Sequence, residues 1–241
     1  AEDLGIDLIV ALPMPENLYT QDFESSRSWA EFARLHRYAA ERTVVPLAPG
    51  STEEAISDYG PERNWQYAEA GAWIAARADI LIAVWDGKTI GDLGGTGHVV
   101  KFRRAGAMPD YVPHASPKPS QQITFHIVCS RNRTDGEPAR GLTPSQTRWL
   151  GADDEEHERF PKEWAGQLDA PVIDEPATPE PGGETVTGLG YRLPMVIGVT
   201  GHRDLRDDEI PGIRSRVRDL FLDLKERFPS RKLRLLSPLA E

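Results

Sequence analysis

A chain of 241 residues with 28 lysines and arginines against 38 aspartates and glutamates carries a formal charge of −10, which repels a phosphate backbone and argues against duplex nucleic-acid binding. The length suits one generous α/β domain better than two small ones. The single cysteine, Cys129, excludes an intramolecular disulfide and a cysteine-based zinc site, and fits a reducing, cytoplasmic setting.

The longest apolar runs, "IDLIVAL" and "DILIAVW", fall far short of the roughly 20 residues that cross a bilayer. No charged-then-apolar leader follows Ala1, so neither a membrane span nor a signal peptide is expected. In chain order, "AEDLG" reads as a last helical turn closing on Gly5, and residues 6–12 as a strand buried on both faces of a parallel sheet. Trp29, Phe32, Leu35, His36 and Ala39 recur at helical spacing and predict a helix over 24–41. The proline inside "TVVPLA" (43–48) confines that stretch to an edge or a short strand. A helix over 61–78 opens at Pro61, a favoured first helical position, and leads to the strand "DILIAVW" (79–85). A glycine-rich stretch then enters a short helix at Thr96, and "QQITFHIVC" (121–129) is a further strand. Beyond Cys129 the periodicity fades. "DDEEHERF" (153–160) reads as a solvated acidic helix, and 166–192, rich in proline and glycine with almost no large apolar side chains, reads as a linker. The pattern returns with a strand over 195–200, a helix over 207–228 striped by Ile210, Ile213, Val217, Leu220, Leu224 and Phe228, and a strand over 233–237.

Strands alternating with long helical stretches imply right-handed crossovers and an α/β fold, a doubly wound, mostly parallel Rossmann-like sheet with helices on both faces. The strand–turn–helix "MVIGVTGHRDL" (195–205) is of the kind that opens a nucleotide-binding domain, yet it lies near the end of this chain. Placed after "SPLAE", the N-terminal part completes one continuous order. Residues 1–165 and 193–241 are therefore expected to be two portions of one domain, the later one supplying the first strand, its helix and the second strand. Strands 195–200 and 233–237 should then join 6–12 and 79–85 in a single sheet, with Ala1 near Glu241. The alternative is a truncated second domain starting at 191.

A glycine turn directly after a strand lets backbone N–H groups point at a phosphate, with a favourable field from the next helix. Thr200, Gly201, His202 and Arg203 occupy one such place. Gly94, Gly95, Thr96 and Gly97 form another where a helix begins. The plainer readings are strand-end geometry for the first and a glycine hinge for the second. Open α/β sheets bind ligands outside the carboxyl ends of their strands. The expected site is thus a cleft lined by Gly201, His202, Arg203, Ser237, Met14, Asp86, Gly94, Gly95 and Thr96, with Arg63 facing it. Six histidines without helical pairing predict no metal site, and no cofactor is expected. "KFRRAG" (101–106) is a small basic patch. Trp65, Tyr67 and Trp73 read as core or pocket wall, with stacking on a base as a second reading for Tyr67.

Together "VIGVTGHRDL", "LLSPLAE", "IDLIVALPMP", "DILIAVWDG", "LGGTGHVVKF" and "FHIVCSR" resemble the SLOG superfamily, nucleotide-binding Rossmann-like domains related to the LOG phosphoribohydrolases and the DNA-processing protein Smf/DprA. The resemblance covers most of 1–160 and 193–241 and is closest to SLOG domains of prokaryotic nucleotide-sensing systems. In those relatives the strand ending "SPLAE" continues through a glycine and a helix to the strand that is here "IDLIVAL", which implies a circularly permuted or reassembled domain. LOG enzymes carry an arginine at an "ERK"-type helix start and a glutamate in a "PGGxGTxxE" loop, and both act on an N-glycosidic bond. "PERNWQ" keeps an arginine, Arg63, as the catalytic candidate. The second loop keeps Gly94, Gly95 and Thr96 but has Val99 where the glutamate would fall, and valine neither holds a proton nor stabilises a developing cation.

The resemblance therefore implies a non-catalytic sensor of an NAD-derived or other ribonucleotide. Such a sensor passes occupancy to an effector or membrane-anchored module of a longer protein, with homo-oligomerisation left open. A bulky residue at Gly95 should abolish binding, and Val99→Glu is the change expected to introduce some hydrolysis. The first alternative is a phosphoribohydrolase with a displaced carboxylate at Glu69 or Asp86, whose quieter readings are a solvated helix face and an Asp-Gly turn. The second is a DprA-like single-stranded DNA binder, which wants a basic groove with exposed aromatics.

Overall fold

The computed structural model describes residues 2–23, 25–88, 93–116, 122–152, 155–169 and 193–239. In chain order its elements are β1 (Asp7–Leu12), α1 (Glu16–Tyr19), α2 (Ser26–Tyr38), β2 (Glu41–Val44), α3 (Pro61–Arg77), β3 (Ile80–Trp85) and α4 (Thr96–Ala105). There follow β4 (Ile123–Val128), β5 (Thr147–Leu150), β6 (Glu156–His157), α5 (Lys162–Asp169), β7 (Met195–Gly201), α6 (Ile210–Arg227) and β8 (Leu233–Ser237). The strands form one eight-stranded sheet in the order β2-β1-β8-β7-β3-β4-β5-β6. All pairings from β2 to β4 are parallel, and β5 and β6 are added antiparallel.

The chain's last two strands thus lie near the middle of the sheet and share its core. Leaving aside the edge strand β2, and counting from β7, the five parallel strands lie in the order 3-2-1-4-5, the arrangement of a doubly wound Rossmann-like sheet. Met195, Ile197, Ile213, Leu220 and Leu224 pack with Ile80, Ile82, Ile123 and Ile127 in one continuous cluster, so residues 193–239 are no separate unit. Ala1 and Glu241 lie outside the described residues. Because β1 and β8 run in parallel, pairing Asp7 with Arg234 and Val10 with Ser237, Leu4 lies beyond the amino edge of the sheet and Leu239 beyond its carboxyl edge.

Helices cover both faces because the buried runs present apolar side chains on both. On one face α6 packs against β3, β4, β7 and β8, and α2 lays Phe32 and Leu35 over Leu8, Val10 and Leu12 of β1. On the other, the small residues Ala68, Ala72 and Ala75 bring α3 down onto Leu81 and Leu236, with α4 beside it through Val99 and Phe102. Every residue of β3 and β4 is buried, as strands covered on both faces require. Gly5 and Gly106 close their helical turns in the left-handed region, φ 61° and 74°. No helix among the described residues is long and apolar enough to cross a membrane.

Three local expectations are corrected. Residues 156–157 are a short strand pairing with β5, where an acidic helix was expected; Arg148 and Arg104 hold Glu156 against the sheet. The expected linker opens inside α5, whose Leu168 is buried in the core, and the remainder from residue 170 lies outside the described residues. Glu69 is buried, not solvated, accepting hydrogen bonds from the Tyr111 hydroxyl (2.6 Å) and the His114 backbone N–H (3.1 Å).

His126 on β4 carries a consequence for stability. Its Nε2–H donates to the Trp85 carbonyl at 2.9 Å, while Nδ1 accepts from Arg148 Nε at 3.1 Å, an arrangement that only the neutral ring satisfies. Burial pushes its pKa down to about 4, with the Arg148 charge acting the same way. The unfolded ring titrates near 6.5, so between those values the unfolded chain binds a proton that the folded one refuses. Stability is thus complete above about pH 6.5 and is lost as pH falls toward 4, by up to about 3 kcal/mol. Urea titrations at pH 7 and pH 4.5 should show this fall, and His126→Gln should flatten it.

Candidate functional site

Strands β7 and β3 are neighbours, yet the helices that follow them, α6 and α4, pack on opposite faces. Their carboxyl ends therefore flank the point where the winding reverses, and the loops after them part to either side. Both glycine turns come to this edge. The His202 N–H donates to the Val84 carbonyl at 3.1 Å, which carries β7 one residue further along β3. A Cβ on Gly201 would come within 3.1 Å of Val84 Cβ, so a side chain there would press on β3.

At the second turn, Gly94 sits with φ +81° against α3, where an added Cβ would meet the Ala68 N at 2.8 Å and the Asn64 O at 3.1 Å. It keeps the loop seated on the helix backbone. Gly95 differs: it is the N-cap of α4 with φ −70°, an extended conformation open to any residue. Among the described residues no side chain caps α4, and no acidic residue occupies its first turn, so its backbone N–H donors and positive end suit an acceptor.

The two loops meet through Tyr67 of α3. The Arg203 guanidinium lies over its ring, 5.8 Å from the centroid, and the Gly94 turn packs on its backbone. The Tyr67 hydroxyl donates to Asp22, and burial together with that bond raises its pKa. Beside them, His202 Nε2 stands 3.3 Å from Asp86 Oδ1, with the Asp86 side chain only 2 % exposed. Burial of the His202 ring lowers its pKa against the opposing pull of Asp86. Asp86 also accepts the Lys88 N–H at 3.0 Å, the Asp-Gly turn anticipated from sequence.

The loop after β7 is tied down across this edge. Arg131 Nε donates to both oxygens of Asp204, at 2.8 and 3.0 Å, the Asn132 N–H donates to the Asp204 carbonyl (2.6 Å), and Glu209 accepts the Ser130 N–H (2.7 Å). Asp207, Asp208 and Glu209 stand directly before α6, so the N-terminus of that helix faces the chain's own carboxylates. Of the helix termini that follow β7 and β3, that of α4 suits an anion better.

Several expected site residues are elsewhere. Arg63 does not face the edge: its side chain is 2 % exposed, and its guanidinium donates to the Ile56 carbonyl (2.6 Å), the Leu18 carbonyl (2.9 Å) and Asp22 Oδ1 (2.7 Å). It binds together three segments that loop above β1 and β2, and so is not placed for catalysis. Met14 is fully buried with Leu12 and Tyr19. Thr96 begins α4 at the edge but its side chain is buried, and the Ser237 hydroxyl is turned to its own chain, accepting the Leu239 N–H at 3.1 Å. Val99 points away from the edge into the α3–α4 contact, against Gly71.

Gly201, His202, Arg203, Asp86, Gly94 and Gly95 are brought together. Tyr59, Asp22, Arg131 and Asp204 were missed; each lies in a loop with no periodicity, and the strand-end position of "CSR" was the available signal for Arg131. Two concavities lie elsewhere, one of about 280 Å³ beside Trp73, Arg77 and Leu236 and one of about 460 Å³ beside Trp65, Met108 and Val112. Among the described residues no group of three His, Cys, Asp or Glu side chains could hold a metal ion. No family model, curated protein or solved structure matches this chain.

Proposed function

We propose that this carboxyl edge binds a nucleotide, NAD-derived or another ribonucleotide, and that the domain senses it without turning it over, in the manner of the SLOG domains it resembles. The observation that carries the reading is Tyr67, which joins the cation Arg203 of one glycine loop to the uncapped helix start of the other across the point where the winding reverses. Phosphate would sit on the α4 N–H groups, with Arg203 supplying charge. The occupied state would then be passed to an effector module or a second copy.

The alternative is a phosphoribohydrolase, and Asp86 favours it as the buried carboxylate paired with a histidine at this edge. Calorimetry against AMP, ADP-ribose and NAD, with chromatography of the mixtures, separates the two. Binding with intact ligand and loss of binding in Gly95→Trp support the sensor. Release of free base that Asp86→Asn abolishes supports the enzyme.

A further inference from the structure

Tyr59 is the most open aromatic ring at this edge, 76 % exposed, yet it is held. Its hydroxyl donates to the Gln21 carbonyl at 3.3 Å, and the Arg63 guanidinium lies 5.0 Å from the ring centroid. Arg63 is itself buried and fixed by three bonds to Ile56, Leu18 and Asp22. One ring face therefore rests on an immobile cation and the other is open to solvent. An exposed tyrosine held this way has already lost much of the rotamer freedom that stacking would otherwise cost.

Asp22 is the hub of the arrangement. It takes Arg63 and the Tyr67 hydroxyl directly. Arg203 is the exposed cation over Tyr67. Arg63 and Tyr67 thus close on one nearly buried carboxylate, with the Tyr59 ring resting on Arg63 and Arg203 lying over Tyr67, next to the turn that seats Gly94 on Asn64 and Ala68.

We infer that the open face of Tyr59, backed by Arg63, is a stacking platform for a planar base, and that the ligand class is a purine nucleotide and not a bare sugar phosphate. A flat base gains from both an aromatic face and an adjacent guanidinium, and the larger purine ring gains more. The assignment rests on the nucleotide reading of the edge given above.

The test is calorimetry on the full chain with two probes, AMP and ribose 5-phosphate. AMP should bind at least tenfold more tightly than ribose 5-phosphate. Tyr59→Ala should weaken AMP about tenfold, the usual loss when one stacked base loses its ring, and leave ribose 5-phosphate unchanged, while Tyr59→Phe keeps most of the AMP affinity. Tyr59 buries little surface, so the variants should unfold with the wild-type midpoint. Equal affinity for the two probes, or AMP affinity untouched by Tyr59→Ala, overturns the platform and leaves the nucleotide site standing. Failure of the wild type to bind either probe overturns both.

Discussion

Arg63→Ala is expected to lower the stability of the protein by about 3–5 kcal/mol, the cost of removing one partner from a buried ion pair. The Arg63 and Asp22 side chains are 2 % and 7 % exposed and meet at 2.7 Å, so neither solvent nor a mobile counter-ion can take the lost partner's place. The Ile56 and Leu18 carbonyls lose their donor at the same time. Urea unfolding should show a lower midpoint with an unchanged slope. Replacing the pair together, as Arg63→Met with Asp22→Asn, should cost less than the sum of the single changes, because no unpaired charge is left behind. A near-neutral Arg63→Ala would show that the guanidinium is free, and would return it to the candidates for chemistry.

Val99→Glu should likewise destabilise, by about 4 kcal/mol or more, and should create no hydrolysis. Val99 is 1 % exposed and lies against Gly71, whose missing side chain lets α3 and α4 approach closely. A carboxylate there would be buried among Ala68, Ala72 and Phe102, and the buried Arg103 one turn on is already committed to the Ala75 and Asp79 carbonyls. Such a group keeps its proton, so its folded pKa rises above the unfolded value near 4.3. The penalty relative to wild type is then smallest below that value and grows as pH rises through the folded pKa. Unfolding of both proteins at pH 4.5 and pH 7 should show the gap widen at the higher pH. A stable Val99→Glu protein that releases base from AMP would place residue 99 at the reacting centre after all.

Both outcomes turn on which way a side chain of known identity points. Taken alone, the order of residues determined the elements that rest on neighbours in the chain. Continuous apolar runs became β1, β3, β4 and β7; Pro61 opened α3; Gly106 closed α4; and the striped helix over 207–228 appeared as α6. Apolar periodicity, capping and chain stiffness act over a few residues and are legible there. The alternation of strand and helix was enough for a doubly wound, mostly parallel sheet. It also brought the chain's last strands into that sheet.

Tertiary structure alone decided what depends on distant partners. Arg63 turned inward because Asp22, 41 residues earlier, offered a carboxylate that water could not reach. Val99 turned inward because Gly71 left room for it. The loop after β7 was tied down by Arg131, 73 residues before Asp204. β5 and β6 have too few residues to show a period, and exist because β4 presents an edge to pair with. A buried charge or a close helix contact is a property of two surfaces meeting, and the local pattern of one chain segment carries no record of the other.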